Sequence, residues 1–176
     1  MLFIDQAQYI KGVLSCYGMS GCTSISMPLP AKAQFQPATS EDHLEFSSYP
    51  YLEVIRSLVY AALGTCPNIA AVVHTLAPYA TSFGKKHIDG VKHIMRYLSR
   101  CPSHGILYTR GGGGLVGYTD ANWTNNVLNC RSISGYAFLY SGGDCILDVQ
   151  TAKHHHYIIN LLEIHSIHVF GCIYLE

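Results

Sequence analysis

Apolar residues recur at helical spacing in four stretches of the first hundred residues, and each stretch predicts an amphipathic helix. Asp5 is expected to cap the first helix and Gly18 to end it, while Gly64 and Pro67 separate the second from the third. Pro78 should end or bend the third helix. The four predicted apolar faces are Tyr9, Ile10, Val13, Leu14 and Tyr17; Leu52, Ile55, Val59 and Leu63; Ile69, Val72, Val73, Leu76 and Tyr79; and Ile88, Val91, Met95 and Leu98.

Two stretches between these helices lack helical spacing. Residues 24–37 contain three prolines and predict an extended connector, and the polar residues 39–48 predict a loop. From residue 105 onwards the pattern becomes that of short strands, at residues 105–108, 115–119, 134–140 and 144–149. The chain is therefore predicted to be α+β, with an N-terminal helical region followed by an antiparallel meander.

Composition narrows the class of protein. The 176 residues carry 11 basic and 11 acidic side chains, and this balance argues against strong independent nucleic-acid binding. Seven cysteines without a C-x-x-C pair favour an intracellular protein, in the cytoplasm or nucleus, over a disulfide scaffold or a zinc site. The N-terminus does not resemble a signal peptide, and polar residues interrupt the apolar run at 157–175, so no membrane partner is expected.

Asp120 is the first candidate site residue. It follows the short buried strand at 115–119, and four glycines at positions 111–114 precede that strand. A carboxylate at the end of a buried strand can ligate a divalent metal ion through its hard oxygen atoms. The alternative is that Asp120 and Asn122 only cap a turn.

The second candidate site is a set of basic residues on the last predicted helix, residues 85–99. Lys85, Lys92, Arg96 and Arg100 are spaced by seven, four and four positions, which places them on one face, with Tyr97 nearby. Such a face can contact the phosphates of a nucleic-acid duplex. An ordinary solvated helix face is the alternative.

Two motifs around Asp120 carry a family resemblance. Residues 117–123 read GYTDANW and residues 131–138 read RSISGYAF, and together they resemble the start of the ribonuclease H domain in copia-type retrotransposon Pol polyproteins. In that family the strand aspartate is the first ligand of a two-magnesium site that cuts the RNA strand of an RNA–DNA hybrid. The resemblance thus implies that Asp120 is a catalytic metal ligand, with Mg²⁺ as cofactor in the intact family.

Upstream residues resemble the end of the copia-type reverse transcriptase and the helical, thumb-like region behind it. The similar stretches are QAQYI at 6–10, RSLVY at 56–60, LGTCPNIA at 63–70 and VKHIMRYL at 91–98. Cys66 and Asn68 stand where the family has arginine and aspartate. The resemblance implies three regions: residues 1–38 (end of the polymerase palm and connector), 39–104 (thumb-like), and 105–176 (partial, mixed-sheet ribonuclease H-like domain). Template–primer duplex and the rest of a Pol polyprotein are the implied partners.

The resemblance weakens after Gly143. Glu163 falls, without gaps, on the second glutamate of the family's E-A-E-Y motif, but its neighbours do not match; the alternative is an exposed glutamate in a divergent tail. The family's other catalytic aspartates would lie beyond residue 176. Two close divalent cations need several carboxylates, so we expect neither stable Mg²⁺ binding nor nuclease activity from this chain alone.

Three further interpretations remain open at this point. His154, His155 and His156 are adjacent, so they suit a polar surface run better than a metal site. The chain could be a non-catalytic nucleic-acid-binding remnant that uses the basic residues. It could instead have a structural or interaction role through its apolar residues 157–175.

Overall fold

A computed structural model describes residues 1–30, 33–110, 113–126 and 131–151 of the chain. These residues contain five α-helices and small antiparallel sheets, which confirms the predicted α+β class. The chain divides into two compact units, residues 4–105 and residues 1–3 with 106–176. In the part that the structure describes, no helix is both long and apolar enough to cross a membrane.

The helices follow the predicted order. Strand β1 spans Leu2–Asp5, and the helices are α1 (Ala7–Cys16), α2 (Ser40–Phe46), α3 (Tyr51–Gly64), α4 (Ala70–Leu76) and α5 (Lys85–Arg100). Short 3₁₀ turns at Pro67–Ile69 and Ala77–Thr81 flank α4 on both sides. Pro67 is the first residue of one turn and Pro78 the second residue of the other, as expected of a residue that lacks an amide proton and holds the φ of a first helical turn. Sequence patterns did not predict β1.

Helices α1, α3, α4 and α5 enclose one hydrophobic core. Its side chains include Ile10 and Leu14 from α1, Val54 and Leu58 from α3, Val73 and Leu76 from α4, and Val91, Ile94, Met95 and Leu98 from α5. Tyr51 is also buried, stacks on Phe83 with ring centroids 4.7 Å apart, and donates its hydroxyl proton to the Leu76 carbonyl at 2.9 Å. Burial removes these apolar surfaces from water, which is the main stabilising contribution to the unit.

The predicted apolar face of α3 is wrong for two of its four residues. Leu52 is 44% exposed and Leu63 is 68% exposed, whereas Val54, Ile55 and Leu58 are buried. The apolar residues of α3 cover more than half of its circumference, with Glu53, Arg56 and Ser57 on the remaining side, so periodicity alone could not select the buried face. Packing against α4 and α5 selects it instead.

The expected loop at residues 39–48 is also wrong, because α2 forms there. The Thr39 side chain accepts a hydrogen bond from the Asp42 amide at 3.3 Å, and Glu41 and Asp42 occupy the first turn. A threonine cap with an acidic residue three positions later is a helix-start signal. Because α2 buries none of its residues, it carried no apolar periodicity that sequence reasoning could detect.

The ends of α1 are close to the prediction. The Asp5 carboxylate accepts a hydrogen bond from the Ala7 amide at 2.9 Å, although Gln6, not Asp5, occupies the cap position. After Cys16 the chain turns at Gly18, whose φ is +68°. That left-handed conformation suits glycine and ends the helix.

The second unit is built on a three-stranded antiparallel meander. Strand β2 (Gly105–Tyr108) forms a two-stranded sheet with β1, and β3 (Val116–Asn126), β4 (Arg131–Tyr140) and β5 (Gly143–Thr151) follow in spatial order. A tight turn joins β4 to β5, with positive φ at Ser141 and Gly142. The predicted strands are confirmed, and the meander consists of β3, β4 and β5 without β2.

The predicted end of the Asp120 strand is wrong. Strand β3 continues to Asn126, so Asp120 lies within the strand and pairs with Gly135 of β4. The stretch from residue 119 to 126 is polar, which hid its strand character from pattern analysis; cross-strand pairing with β4 supplies the missing support.

Candidate nucleic-acid interface

The basic residues predicted on α5 do share one face of that helix. At 100° per residue, Lys85, Lys92, Arg96 and Arg100, called the basic face below, fall within an arc of about 80°. The buried residues of α5, among them Val91, Ile94 and Leu98, lie on the opposite side. Lys85, Lys92 and Arg100 are exposed, and Arg96 is half-buried. The helix thus presents cations outward from a fixed, core-anchored frame.

An acidic residue, missed by the sequence analysis, interrupts the basic face. Asp89 Oδ2 accepts a hydrogen bond from Lys85 Nζ at 3.0 Å, and this is the one ion pair between side chains that the structure describes. Both side chains are more than half exposed, so the pair contributes at most about 1 kcal/mol to stability. It nevertheless lowers the positive charge of the basic face. The i, i+4 spacing from Lys85 was the signal that could have revealed it.

Residues 22–29, called the strap below, run along the C-terminal half of α5 and form hydrogen bonds with His93, Arg96 and Ser99. The Cys22 thiol donates to Ser99 Oγ at 3.4 Å, and Arg96 Nε donates to the Thr23 carbonyl at 2.7 Å. Further along, His93 Nε2 donates to the Met27 carbonyl at 3.2 Å. The strap therefore runs antiparallel to α5 and crosses the basic face at Arg96. A neutral hydrogen bond contributes about 0.5–1.5 kcal/mol, and the bond from the charged Arg96 guanidinium about 1.5–3 kcal/mol.

Tyr49 and Tyr97 are the aromatic neighbours of the basic face. Lys92 Nζ lies 5.8 Å from the centre of the Tyr49 ring, within cation–π range. Tyr97, which the sequence placed near the cations, is half-buried, and the Asn68 side-chain amide donates a hydrogen bond to its hydroxyl. Asn68 thus ties the 3₁₀ turn before α4 to α5. Cys66, the other residue that departs from the family pattern, is buried, and burial raises the pKa of its thiol.

The N-terminus of α5 forms one wall of an open cleft of about 550 Å³. His87, only 2% exposed, accepts a hydrogen bond at Nδ1 from the Gly84 amide at 3.0 Å. Asp42 reaches the same place: a Cβ built on Gly84 would lie 3.3 Å from Asp42 Cβ. The carboxylate of Asp42 therefore lies near the N-terminus of α5, where its negative charge disfavours a second anion.

The candidate metal ligands remain unassembled in the described residues. Asp120 has a defined backbone position in β3, and Glu163 and His154, His155 and His156 lie outside the described residues, as do positions 157–175. In the ranges that are described, no three His, Cys, Asp or Glu side chains are grouped to hold a metal ion. The roles of Asp120 and Glu163 stay predictions.

Comparisons with known proteins give the chain its relatives. It is 32% identical over 146 residues to the "Retrovirus-related Pol polyprotein from transposon TNT 1-94" of Nicotiana tabacum, which covers 81% of this chain and 11% of that protein. It is 28% identical over 139 residues to the corresponding Pol polyprotein from transposon RE1 of Arabidopsis thaliana, covering 77% of this chain and 9% of that one.

A third relative is short. The chain is 38% identical over 95 residues to the "Secreted RxLR effector protein 161" of Plasmopara viticola, which covers 53% of this chain and 67% of that protein. The chain therefore spans about a tenth of the length of the two Pol polyproteins and two thirds of the shorter relative. No protein-family model matches the chain, and no solved structure matches it.

Proposed function

Because this chain belongs to the retrovirus-related Pol polyproteins of plant transposons, we propose that it is a polyprotein fragment that binds nucleic acid without cleaving it. Within the helical unit, residues 39–104 take the role of the thumb-like region behind a reverse transcriptase, and the residues up to 38 that of the palm's end and the connector. The meander of β3, β4 and β5 takes that of the opening strands of a ribonuclease H domain. In intact polyproteins of this kind, these regions would act in RNA-templated DNA synthesis and in cleavage of RNA–DNA hybrids.

The observation that carries the proposal is the position of the basic face. Four cations project from one side of α5, and the other side is locked into the core by Val91, Ile94 and Leu98. A rigid row of cations suits the regular phosphate backbone of a duplex, and it reads no base sequence. We therefore propose an RNA–DNA hybrid or a template–primer duplex as the ligand, bound weakly and without sequence preference.

The proposal that the chain does not cleave rests on the chemistry of two-metal hydrolysis. Two divalent cations about 4 Å apart require several carboxylates to offset their charge and fix their positions. Asp120 matches the family's first ligand, and Glu163 matches a second only by position. These two carboxylates alone would hold Mg²⁺ weakly, so residues 1–176 by themselves would not cleave the hybrid.

The binding proposal is tested by titrating a fluorescent RNA–DNA hybrid with the full chain at several salt concentrations. Two to four phosphate contacts predict that log K falls against log salt with a slope between about −2 and −4. Replacing Lys85, Lys92, Arg96 and Arg100 by glutamine should abolish this binding. The matched control replaces four basic residues off that face, Lys11, Arg56, Lys86 and Arg110, and should bind more than the first variant. Equal affinity of the two variants would contradict the proposal.

A further inference from the structure

We propose that the strap is an autoinhibitory cover for Arg96, displaced when a polyanion binds the basic face. The inference rests on the proposed function, since it concerns the regulation of that same face. In the closed state Arg96 forms two hydrogen bonds with the strap. Its side-chain Nε donates to the Thr23 carbonyl at 2.7 Å, and its backbone carbonyl accepts from the Ile25 amide at 3.4 Å. The guanidinium is thereby turned towards the strap.

The strap is joined to α5 by four hydrogen bonds, and its residues Ile25, Pro28 and Leu29 are half-buried. In the described part of the helical unit, Met19 and Phe35 pack against the hydrophobic core on either side of the strap, and no residue between positions 22 and 29 does so. Phe35 lies against Gly90, since a Cβ built there would be 3.0 Å from Phe35 Cζ. A segment that is fixed at both ends, has no fully buried residue between them and is held there by a few hydrogen bonds opens at a lower free-energy cost than the core helices.

Opening of the strap would exchange the carbonyl that accepts from the Arg96 guanidinium for a stronger acceptor. A carbonyl oxygen is a neutral acceptor for the Arg96 guanidinium. A phosphate group is charged, and two of its oxygens can accept hydrogen bonds from the guanidinium at once. The Thr23 carbonyl and the Ile25 amide would be solvated by water once released. The closed strap thus leaves Lys85, Lys92 and Arg100 for a first encounter, and Arg96 joins after displacement.

Ser99→Cys tests this inference, because Cys22 Sγ lies 3.4 Å from Ser99 Oγ. Mild oxidation should join Cys22 to the new thiol and lock the strap closed, and a reductant should release it. Peptide mapping confirms the bridge, and failure to form it would contradict the closed strap itself. The control variant Ser99→Cys with Cys22→Ala cannot form the bridge and experiences the same oxidant.

The readout is affinity for an RNA–DNA hybrid in the oxidised and reduced states. The locked chain should bind about fivefold more weakly than the reduced chain, with a salt slope smaller by about one, the change for one phosphate contact. The control variant should bind the hybrid with the same affinity after oxidation and after reduction. Equal binding by the locked and reduced chains would overturn the cover while leaving the proposed function in place. Absence of binding in every state, wild type included, would overturn the proposed function and this inference with it.

Discussion

The amide of Gly84 donates a hydrogen bond to Nδ1 of His87 at 3.0 Å, which closes the first turn of α5. The imidazole reaches back from the third helical position to the cap amide, a role usually taken by a glutamate or glutamine. Since Nδ1 accepts, the neutral ring carries its proton on Nε2. The ring is packed against Phe35 and Tyr79, with centroids 5.6 and 4.5 Å away. Protonated imidazole cannot make this bond, because both its nitrogens are donors.

Stability should therefore fall in mild acid. Burial lowers the pKa of His87 below its ordinary value of 6.5, and Lys86 adds a smaller effect in the same direction, while hydrogen bonding to the backbone of Gln36 acts in the opposite direction. The unfolded chain takes up this proton first as the pH drops through 6.5, so the free energy of unfolding decreases below that pH. The slope contributed by one site is at most about 1.4 kcal/mol per pH unit.

Denaturant unfolding of His87→Asn between pH 8 and 5 checks this prediction. The asparagine oxygen can still accept from the Gly84 amide but does not titrate, so this variant should lose part of the acid sensitivity. His104→Gln, at an exposed position, is the control and should keep it. An unchanged pH profile in His87→Asn would contradict the assignment.

Gly90→Ala should destabilise the chain although alanine favours helices. The new Cβ would lie 3.0 Å from Phe35 Cζ and 3.3 Å from Leu76 Cδ2, closer than packing allows. Overpacking of this kind costs about 1–3 kcal/mol, against a gain of about 1 kcal/mol in helix propensity.

Gly12→Ala is the matched change in α1, where no atom lies within 4 Å of the new Cβ. It should stabilise by up to about 1 kcal/mol. Urea unfolding measures both variants. Stabilisation by Gly90→Ala as large as that by Gly12→Ala would mean that Phe35 does not pack on α5.

Leu58→Ala and Leu63→Ala test which face of α3 is buried. Leu58 is fully buried and Leu63 is 68% exposed. Truncating the first should cost about 2–5 kcal/mol, and truncating the second about 0.5 kcal/mol or less. Thermal or chemical unfolding gives both values. A loss of stability in Leu63→Ala as large as that in Leu58→Ala would contradict the exposed position of Leu63.

Asp89→Asn should strengthen nucleic-acid binding. The substitution removes a negative charge from the basic face and releases Lys85 from its 3.0 Å ion pair. Hybrid affinity should rise about threefold at low salt, and the gain should shrink as salt screens it. Glu53→Gln on α3 changes the net charge equally and should have a smaller effect. An equal gain in hybrid affinity for both variants would show that the net charge of the chain, and not the position of Asp89, determines the effect.

Local signals explain how far the fold could be predicted. The stripe of Ile88, Val91, Met95 and Leu98 is one-sided and was confirmed as buried, because polar residues fill the rest of α5. The apolar arc of α3 covers more than half of its circumference, so the choice between Leu58 and Leu63 depended on packing. Helix α2 buries nothing and depends on the Thr39 cap, which hydrophobic periodicity does not detect.

The candidate site divides in the same way. Spacing along one helix placed the four cations on a common face, which the structure bears out in geometry. The strap was beyond reach, because it joins residues more than 60 positions apart through backbone carbonyls such as those of Thr23 and Met27. A carbonyl has no sequence signature. The connector was predicted by its prolines and α5 by its apolar stripe, but the contact between them was not predicted.

One incubation tests the central claim that this chain holds an RNA–DNA hybrid without cutting it. The full chain is mixed with a hybrid labelled on the RNA strand in Mg²⁺ at low salt, and the same sample is run on native and denaturing gels. The account predicts a shifted complex whose RNA strand is intact. Cleavage that requires Mg²⁺ and disappears in Asp120→Asn would contradict it, and so would the absence of any complex.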